Sequence, residues 1–503
     1  MTKAGSKKSR LLIFIVAYNA EKTIAWVLRR IPEELIDQFE VEVLIIDDKS
    51  KDNTFKVSVD HEKQFKFKLN VLFNAINQGY GGNQKIGYHY AIKYDFDFVV
   101  LVHGDGQYPP EKIPSLIQPL VSREADAVFG SRMMVSGNAI KGGMPLYKYV
   151  GNRVLTIIQN RLLKTSLTEF HSGFRLYSVR ALRDIPFDLN SPDFDFDTEI
   201  IIQLVLASKK ILEMPIPTYY GNEICHVNGL KYALKILLAT LKARLQKVNL
   251  LYDRKFDCAA DTQSYTPKFD FSSPHSLALK MVPKGARVLD VGCASGYLGS
   301  ALKSQKGCWV YGMDMMPLAD GINLDEFVTC DLEQGLPGET PVHINIVLLL
   351  DVIEHLSDPE KFLIQLRDHL KYSTDVTIFA STGNVAFFVT RLLHMVGIFN
   401  YGKKGILDLT HKRLFTKKTF INIFEQCGYE VIETQPVPGP WQLIFGNTLF
   451  GRLITGVNGV LGRLWASMFA CQIFLIIRPR PHLEYLLTSA TKQSEDMRKA
   501  KAV

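Results

Sequence analysis

The 503-residue sequence has no Cys-x-x-Cys pair and no uninterrupted apolar run of membrane-spanning length. Its seven cysteines (Cys225, Cys258, Cys293, Cys308, Cys330, Cys427 and Cys471) are odd in number and dispersed, which argues against a disulfide framework or a cysteine-ligated zinc site. A reducing cytosol is the expected compartment. A spanning helix needs roughly 18 or more apolar residues, and the nearest candidates, Leu443 to Gly462 and Leu464 to Ile477, are broken by Arg452 and Arg463. The basic stretch Met1 to Arg10 leads into Leu11 to Val16, which is too short for a signal peptide, lacks a small-residue cleavage site and reads as a first strand. Charge is also modest: +8 overall, with 22% charged residues. That excess suits phosphate-rich ligands or an anionic membrane surface. No aromatic-basic stacking platform accompanies it, so nucleic acid is not an expected partner. The composition, 47% hydrophobic, is that of globular material in roughly two to four domains.

What is present is βαβ alternation, twice. Leu11 to Val16 and Val41 to Ile46 read as parallel strands, the second ending on Asp47-Asp48; a helical pattern over Glu21 to Arg30 lies between them. Paired carboxylates at a strand end suit a base or ribose, while Asp52 and Asn53 equally suit the cap of the next helix. Asn77 to Gly87 is a glycine-rich entry to a helix whose amides are placed to cradle phosphate. Phe96 to Val102 then runs into His103-Gly-Asp-Gly-Gln107, where Asp105 and Gln107 offer oxygens to Mg²⁺ or Mn²⁺. Such an ion neutralises a leaving diphosphate.

Tyr18-Asn19, Asp47-Asp48, the Asn77 to Gly87 loop, Asp105 with Gln107, and Gly130-Ser131-Arg132 occur in the order found in inverting glycosyltransferases of family 2. Over Arg10 to Gly221 the chain resembles those similar to dolichyl-phosphate mannose synthase. The resemblance implies a nucleotide-diphosphate sugar donor at Val16, Tyr18, Ile46 and Asp48, with Gly104 and Asp105 facing the diphosphate and sugar and Arg132 near the phosphates. Two departures stand out. The family's Asp-x-Asp is here His103-Gly-Asp105, and Val16 and Ala20 stand where the family carries a proline and a glutamate, leaving Glu21 as the nearby acid. Downstream, His171 to Arg175 and Asp193 to Glu199 resemble the second half of that site. Arg175 suits a bidentate phosphate clamp, and Asp197 or Glu199 suits a base on a hydroxyl acceptor, or alternatively the cap of a helix. Leu230 to Leu250, apolar at helical spacing with interleaved lysines, reads either as an interfacial helix on anionic lipid or as a bridging helix with a solvated basic face.

From Ser276 the alternation restarts. Arg287 to Val291 enters the turn Gly292-Cys-Ala-Ser-Gly296, and later strands end on Asp314, Asp331 and Asp351. Over Ser276 to Pro479 this succession resembles the doubly wound S-adenosylmethionine-dependent methyltransferases. The resemblance implies that Asp290, Gly292, Cys293 and Gly296 surround the methionine end of the cofactor, that Asp314 takes the ribose, and that Asp331 and Leu332 flank adenine. An acid at Asp314 would also suit NAD, but the glycine spacing is not the dinucleotide fingerprint. His355 and His411 are candidate bases, or hydrogen-bonded structural residues; Asn384 to Phe399 reads as a lid, a membrane-resting segment or a packed helix.

The expected architecture is α/β in two domains, a glycosyltransferase A-type fold followed by a Rossmann-like methyltransferase fold. The expected boundaries are 1–228, a helix and linker over 229–275, 276–480, and a charged tail over 481–503. The expected function is bifunctional. A sugar passes from a nucleotide-diphosphate donor to a polyprenyl-phosphate or glycan acceptor, and a methyl group passes from S-adenosylmethionine to a glycan or related small molecule, in cell-surface polysaccharide synthesis. Peripheral contact with the cytosolic membrane face goes with that function. The alternative is a methyltransferase whose first half only binds a nucleotide sugar or glycan, because His103 breaks the acidic pair.

Overall fold

The computed structural model describes residues 8–218, 229–247, 251–258, 269–337, 343–370, 375–445, 448–481, 486–487 and 490–491. The segment 219–228 and most of the expected tail lie outside the described residues. Two compact units divide the chain, one of residues 1–247 with 253–262 and one of 248–252 with 263–503. The stretch 229–275 is therefore shared. The helix Gly229–Lys247 belongs to the first unit, where Ile236, Ala239, Thr240, Ala243 and Arg244 are buried.

Among the described residues the strands form two seven-stranded sheets. The first contains β1 (Ser9–Ala17), β2 (Phe39–Asp47), β3 (Lys68–Phe73), β4 (Phe98–His103), β5 (Ala127–Ser131), β6 (Arg175–Ser178) and β7 (Ile211–Pro215), in the order β3-β2-β1-β4-β6-β5-β7. Only β6 runs against its neighbours. β1 is apolar without alternation because both its faces are covered: Leu11, Ile13 and Ile15 join one core and Leu12 and Phe14 the other. Each such fully buried side chain contributes roughly 1.5–3 kcal/mol. In this register Val16 lies opposite both Ile46 and His103, so the carboxyl ends of β1, β2 and β4 meet where the chain order reverses.

The second sheet contains β8 (Arg287–Val291), β9 (Trp309–Asp314), β10 (Glu326–Thr329), β11 (Ile346–Leu350), β12 (Thr377–Gly383), β13 (Tyr429–Val437) and β14 (Gln472–Pro479), in the order β10-β9-β8-β11-β12-β14-β13. Here only β14 is antiparallel to its neighbours. β11 alternates between two cores, with Val347 and Leu349 on one side and Ile346, Leu348 and Leu350 on the other. Both sheets thus present the carboxyl ends of adjacent parallel strands, the α/β arrangement expected from the sequence.

Candidate active sites

In the first unit the loops after β1 and β2 are stitched into one rim. The Asn19 amide donates to Ser50 Oγ at 2.8 Å, Lys51 N–H donates to Asn19 Oδ1 at 2.9 Å, and Glu21 accepts from the Asn53 amide groups at 3.0 and 3.2 Å. Tyr18 stands 45% exposed on this rim. Gly104 is held beside Val16 by its N–H to the Val16 carbonyl at 2.9 Å, and a Cβ there would sit 3.1 Å from the same oxygen. Beyond it, the exposed Asp105 carries the Gln107 N–H on Oδ1 at 2.9 Å.

Several expected donor contacts are instead internal. Ile46 is fully buried in the core, and its carbonyl accepts from Asn83 Nδ2 at 2.9 Å, so it presents nothing to a donor. Asp48 is 4% exposed and accepts from Asn74 Nδ2 and from the Gln78 and Gly79 amides at 2.7–2.9 Å. The amides of Gly81 and Gly82 donate to the Pro192 carbonyl. The glycine-rich loop is therefore no phosphate cradle: four of its N–H groups are already satisfied within the protein. Its glycines answer to packing, since a Cβ on Gly81 would lie 2.5 Å from the Ser191 carbonyl oxygen and one on Gly87 would lie 2.1 Å from the Phe14 ring.

Arg175 corrects the expectation most sharply. It is 1% exposed, and its Nε, Nη1 and Nη2 donate to the carbonyls of Ser172, Asp197 and Phe170 at 2.8, 2.7 and 3.0 Å. Its charge is matched by the Asp197 carboxylate at 3.6 Å. A guanidinium so committed cannot fork onto a phosphate. Asp197 is equally engaged, accepting from Tyr80 Oη at 2.9 Å and Gln84 Nε2 at 3.2 Å. It sits in the first turn of the helix Phe196–Leu206, where the macrodipole favours a carboxylate, so its place is structural rather than that of a base open to an acceptor.

Tyr80, to which the sequence assigned no role, joins this network to the strand end. Its hydroxyl lies 3.1 Å from His103 Nε2 while donating to Asp197. Burial holds His103 below its ordinary pKa and Tyr80 well above its own, so both are neutral near pH 7. A neutral imidazole therefore stands where the resemblance would place a carboxylate. The segment after it is fitted tightly: Gly173 N–H donates to Tyr108 Oη at 2.7 Å, and a Cβ on Gly173 would meet the His103 ring at 2.6 Å. Arg132 is tied to buried Glu169, whose Oε1 and Oε2 receive its Nε at 3.0 Å and its N–H at 2.7 Å. Burial pushes the Glu169 pKa up, but the Arg132 charge outweighs it and holds the carboxyl below its usual value. The pair fixes the loop that bears His171, whose carbonyl takes Arg132 Nη2 at 3.0 Å.

Among the described residues, no group of three or more His, Cys, Asp or Glu side chains converges as a metal site. One exposed carboxylate with a neighbouring carboxamide fits a divalent ion that arrives with phosphate oxygens, since Mg²⁺ commonly takes only one or two protein carboxylates.

In the second unit, acids line successive strand ends. Asp290, at the end of β8, is 4% exposed and its Oδ2 has no hydrogen-bond partner. Burial, with Asp314 nearby, raises its pKa to about 7. Asp314 fixes the turn by accepting the Ala294 N–H at 2.7 Å and the Met316 N–H at 2.8 Å. Asp331 caps the short helix Leu332–Gln334, accepting the Glu333 N–H at 3.0 Å, and Leu332 beside it is half-buried. Cys293 is buried behind the turn, and burial raises its thiol pKa. Gly292 has φ of +69° and a Cβ there would lie 2.6 Å from Val352, so this glycine is demanded by the turn and its neighbour. A buried, unpartnered carboxylate oxygen between acidic strand ends fits a cationic, hydroxyl-bearing cofactor such as S-adenosylmethionine.

His355 and His411, proposed separately from the sequence, are brought together with ring centroids 4.8 Å apart. His411 Nδ1 lies 3.0 Å from the Ile406 carbonyl, which can only accept, so Nδ1 carries the proton and Nε2 the lone pair. Burial, then the neighbouring His355, lowers the His411 pKa. Glu354, which the sequence reading passed over between Asp351 and His355, is 2% exposed with Oε2 unpartnered, and burial with Asp351 raises its pKa to about 8.

Residues 12–186 match the family model described as glycosyl transferase family 2, and residues 267–434 match a methyltransferase domain model. The chain is 29% identical over 250 residues to the UDP-N-acetylglucosamine–dolichyl-phosphate N-acetylglucosaminyltransferase of Methanococcus voltae, covering 47% of this chain and 97% of that enzyme. It is 27% identical over 219 residues to the low-salt glycan biosynthesis hexosyltransferase Agl6 of Haloferax volcanii, covering 42% of this chain and 48% of that protein. Its second half is 25% identical over 175 residues to the ubiquinone biosynthesis O-methyltransferase of Dinoroseobacter shibae, covering 32% of this chain and 68% of that enzyme.

Proposed function

We propose that this chain, which carries a family 2 glycosyltransferase domain followed by a methyltransferase domain, transfers a sugar from a nucleotide-diphosphate donor to a polyprenyl-phosphate or glycan acceptor and a methyl group from S-adenosylmethionine to a glycan. The lipid-linked acceptor and glycan setting are supported by the printed activities of the two archaeal relatives. The observation that carries the first half is the exposed Asp105 carboxylate just past β4, beside the rim formed by the loops after β1 and β2. Asp105 and Gln107 would hold a divalent ion that offsets charge on the leaving diphosphate. Tyr18, Val16, Glu21 and Gly104 shape the donor side of that rim, while Arg132, paired with Glu169, holds the loop behind it in place. In this scheme His103, Tyr80, Asp197 and Arg175 keep the floor of the site rigid rather than exchange protons with substrate.

In the methyltransferase half, Asp290 would hold the cofactor's amino-acid end, Asp314 its ribose, and Asp331 with Leu332 its adenine. S-adenosylmethionine supplies an electrophilic methyl carbon. His411, with a bare Nε2, would take the proton from an acceptor hydroxyl, and His355 packs against that ring to orient it.

Purified protein is expected to release nucleotide diphosphate from a panel of nucleotide sugars in the presence of Mn²⁺. Asp105→Asn should lose at least about a hundredfold of that activity, a carboxylate–metal contact being worth several kcal/mol, and should melt like the native chain because Asp105 is exposed. Absence of turnover in both proteins, with methyl transfer intact, would favour the second reading: a glycan- or nucleotide-sugar-binding module joined to a methyltransferase. That reading draws on the neutral His103 at the expected position of an acid.

A further inference from the structure

The helix Leu449–Leu464 displays Leu449, Leu453, Val457, Val460 and Leu464 at one-turn spacing, each 52–88% exposed, and Trp465 follows at 59%. Leu449, Leu453, Val457 and Val460, with Arg452, border an open apolar depression on the second unit. This face is not outward because the helix is loosely placed. On the opposite side Asn458 is buried; its Oδ1 accepts the Gly439 N–H at 2.8 Å and Trp441 Nε1 at 2.9 Å, and its Nδ2 donates to the Phe469 carbonyl at 2.9 Å. Those three bonds set the helix rotation and so present the apolar stripe to the surroundings. The neighbouring helix Phe388–Met395 adds Leu392 and Met395, 55% and 82% exposed, followed by Val396 at 70%; Phe388 joins it to the same cluster through Trp441 and Phe469.

Charge selects the partner. Residues 376–407 and 434–483 contain no Asp or Glu, while Arg391, Lys403, Lys404, Arg452 and Arg463 are interspersed among the apolar side chains. An apolar stripe whose own segments carry cations and no carboxylate complements a surface of acyl chains under anionic headgroups. It is poorly suited to a second copy of itself, since these segments would bring cations against cations and supply no carboxylate of their own. Nor does the helix cross a bilayer. Its 16 residues extend about 24 Å against a hydrocarbon thickness of ~30 Å, and no described helix is long and apolar enough to span.

We propose that this face of the second unit seats the protein on an anionic lipid bilayer, with Leu449–Leu464 lying along the headgroup boundary. The assignment goes beyond the transfer reactions above and requires neither of them. It is tested by sedimenting the full chain with vesicles of phosphatidylcholine alone or mixed with phosphatidylglycerol. The native chain should partition onto the mixed vesicles and little onto the neutral ones. The triple variant Leu453→Gln/Val457→Gln/Val460→Gln should lose at least about tenfold of that partition, and Arg463→Glu about tenfold by reversing one charge. Both variants should keep the native melting temperature because every altered side chain is exposed. Undiminished partition of the triple variant would overturn the proposal by placing the contact elsewhere. Equal binding to neutral and anionic vesicles, or a native dimer that the triple variant dissociates without any vesicle binding, would overturn it as well.

Discussion

Replacing Arg175 by methionine is expected to destabilise the first unit without directly removing a donor contact. The guanidinium is 1% exposed and serves three carbonyls and the Asp197 carboxylate. Methionine preserves much of the volume but leaves Asp197 buried without its counter-charge, a loss of about 3–5 kcal/mol. For a domain of this size each kcal/mol lowers the melting temperature by about 2–4 °C, so the first unit's transition should fall by roughly 6–20 °C. Differential scanning calorimetry resolves this if the methyltransferase transition, used as an internal reference, stays in place. Adding Asp197→Asn to the variant should restore part of the loss, because the neutral amide no longer needs the cation. Titration with nucleotide diphosphate well below the variant's melting point should then show nearly native affinity. A variant that melts within about 2 °C of the native chain while losing nucleotide affinity by about tenfold or more would refute the reasoning and return Arg175 to the phosphates.

Other consequences are as specific. Glu354 has its pKa raised from 4.5 to about 8, so the folded second unit holds a proton there that the unfolded chain releases. Stability from this group is complete below 4.5 and is lost as pH rises towards 8, and Glu354→Gln should flatten that decline in melting temperature against pH; an unchanged slope would contradict the assignment. Asp290, raised from 3.8 to about 7, adds a decline of the same sign as pH rises towards 7. His411→Ala should reduce methyl transfer by about 10²–10⁴-fold and leave sugar transfer alone, whereas an unaffected methylation rate would exclude it as the base. Gly87→Ala places a Cβ 2.1 Å from the buried Phe14 ring and should cost about 1–3 kcal/mol in denaturant unfolding of the first unit; a native midpoint would show that Phe14 can yield.

The legible parts of the chain were those whose information is local. Leu11 to Val16, Val41 to Ile46, Phe96 to Val102 and Arg287 to Val291 are apolar runs closed by turn residues, and they emerge as β1, β2, β4 and β8. Asp48 and Asp105, which follow β2 and β4, and Asp290, near the end of β8, therefore had to fall at the carboxyl edges of parallel strands in the two sheets. What each acid does there was not legible. Asp48 and Asp105 look alike in sequence, yet Asp48 is consumed by amides of the Gln78-Gly79 turn some 30 residues away, while Asp105 faces out.

By itself the sequence determined two successive α/β transferase units and the strand ends that hold their candidate sites, because hydrophobic period and turn chemistry act over a few residues. The tertiary structure alone decided which polar groups are already satisfied. It closed Arg175, Asp197 and the glycine-rich loop into the framework, joined Tyr80 to His103, paired His355 with His411, and turned the apolar stripe of Leu449–Leu464 outward. A buried donor takes whichever acceptor the fold brings within about 3 Å, and that partner lies far along the chain, where no local pattern records it.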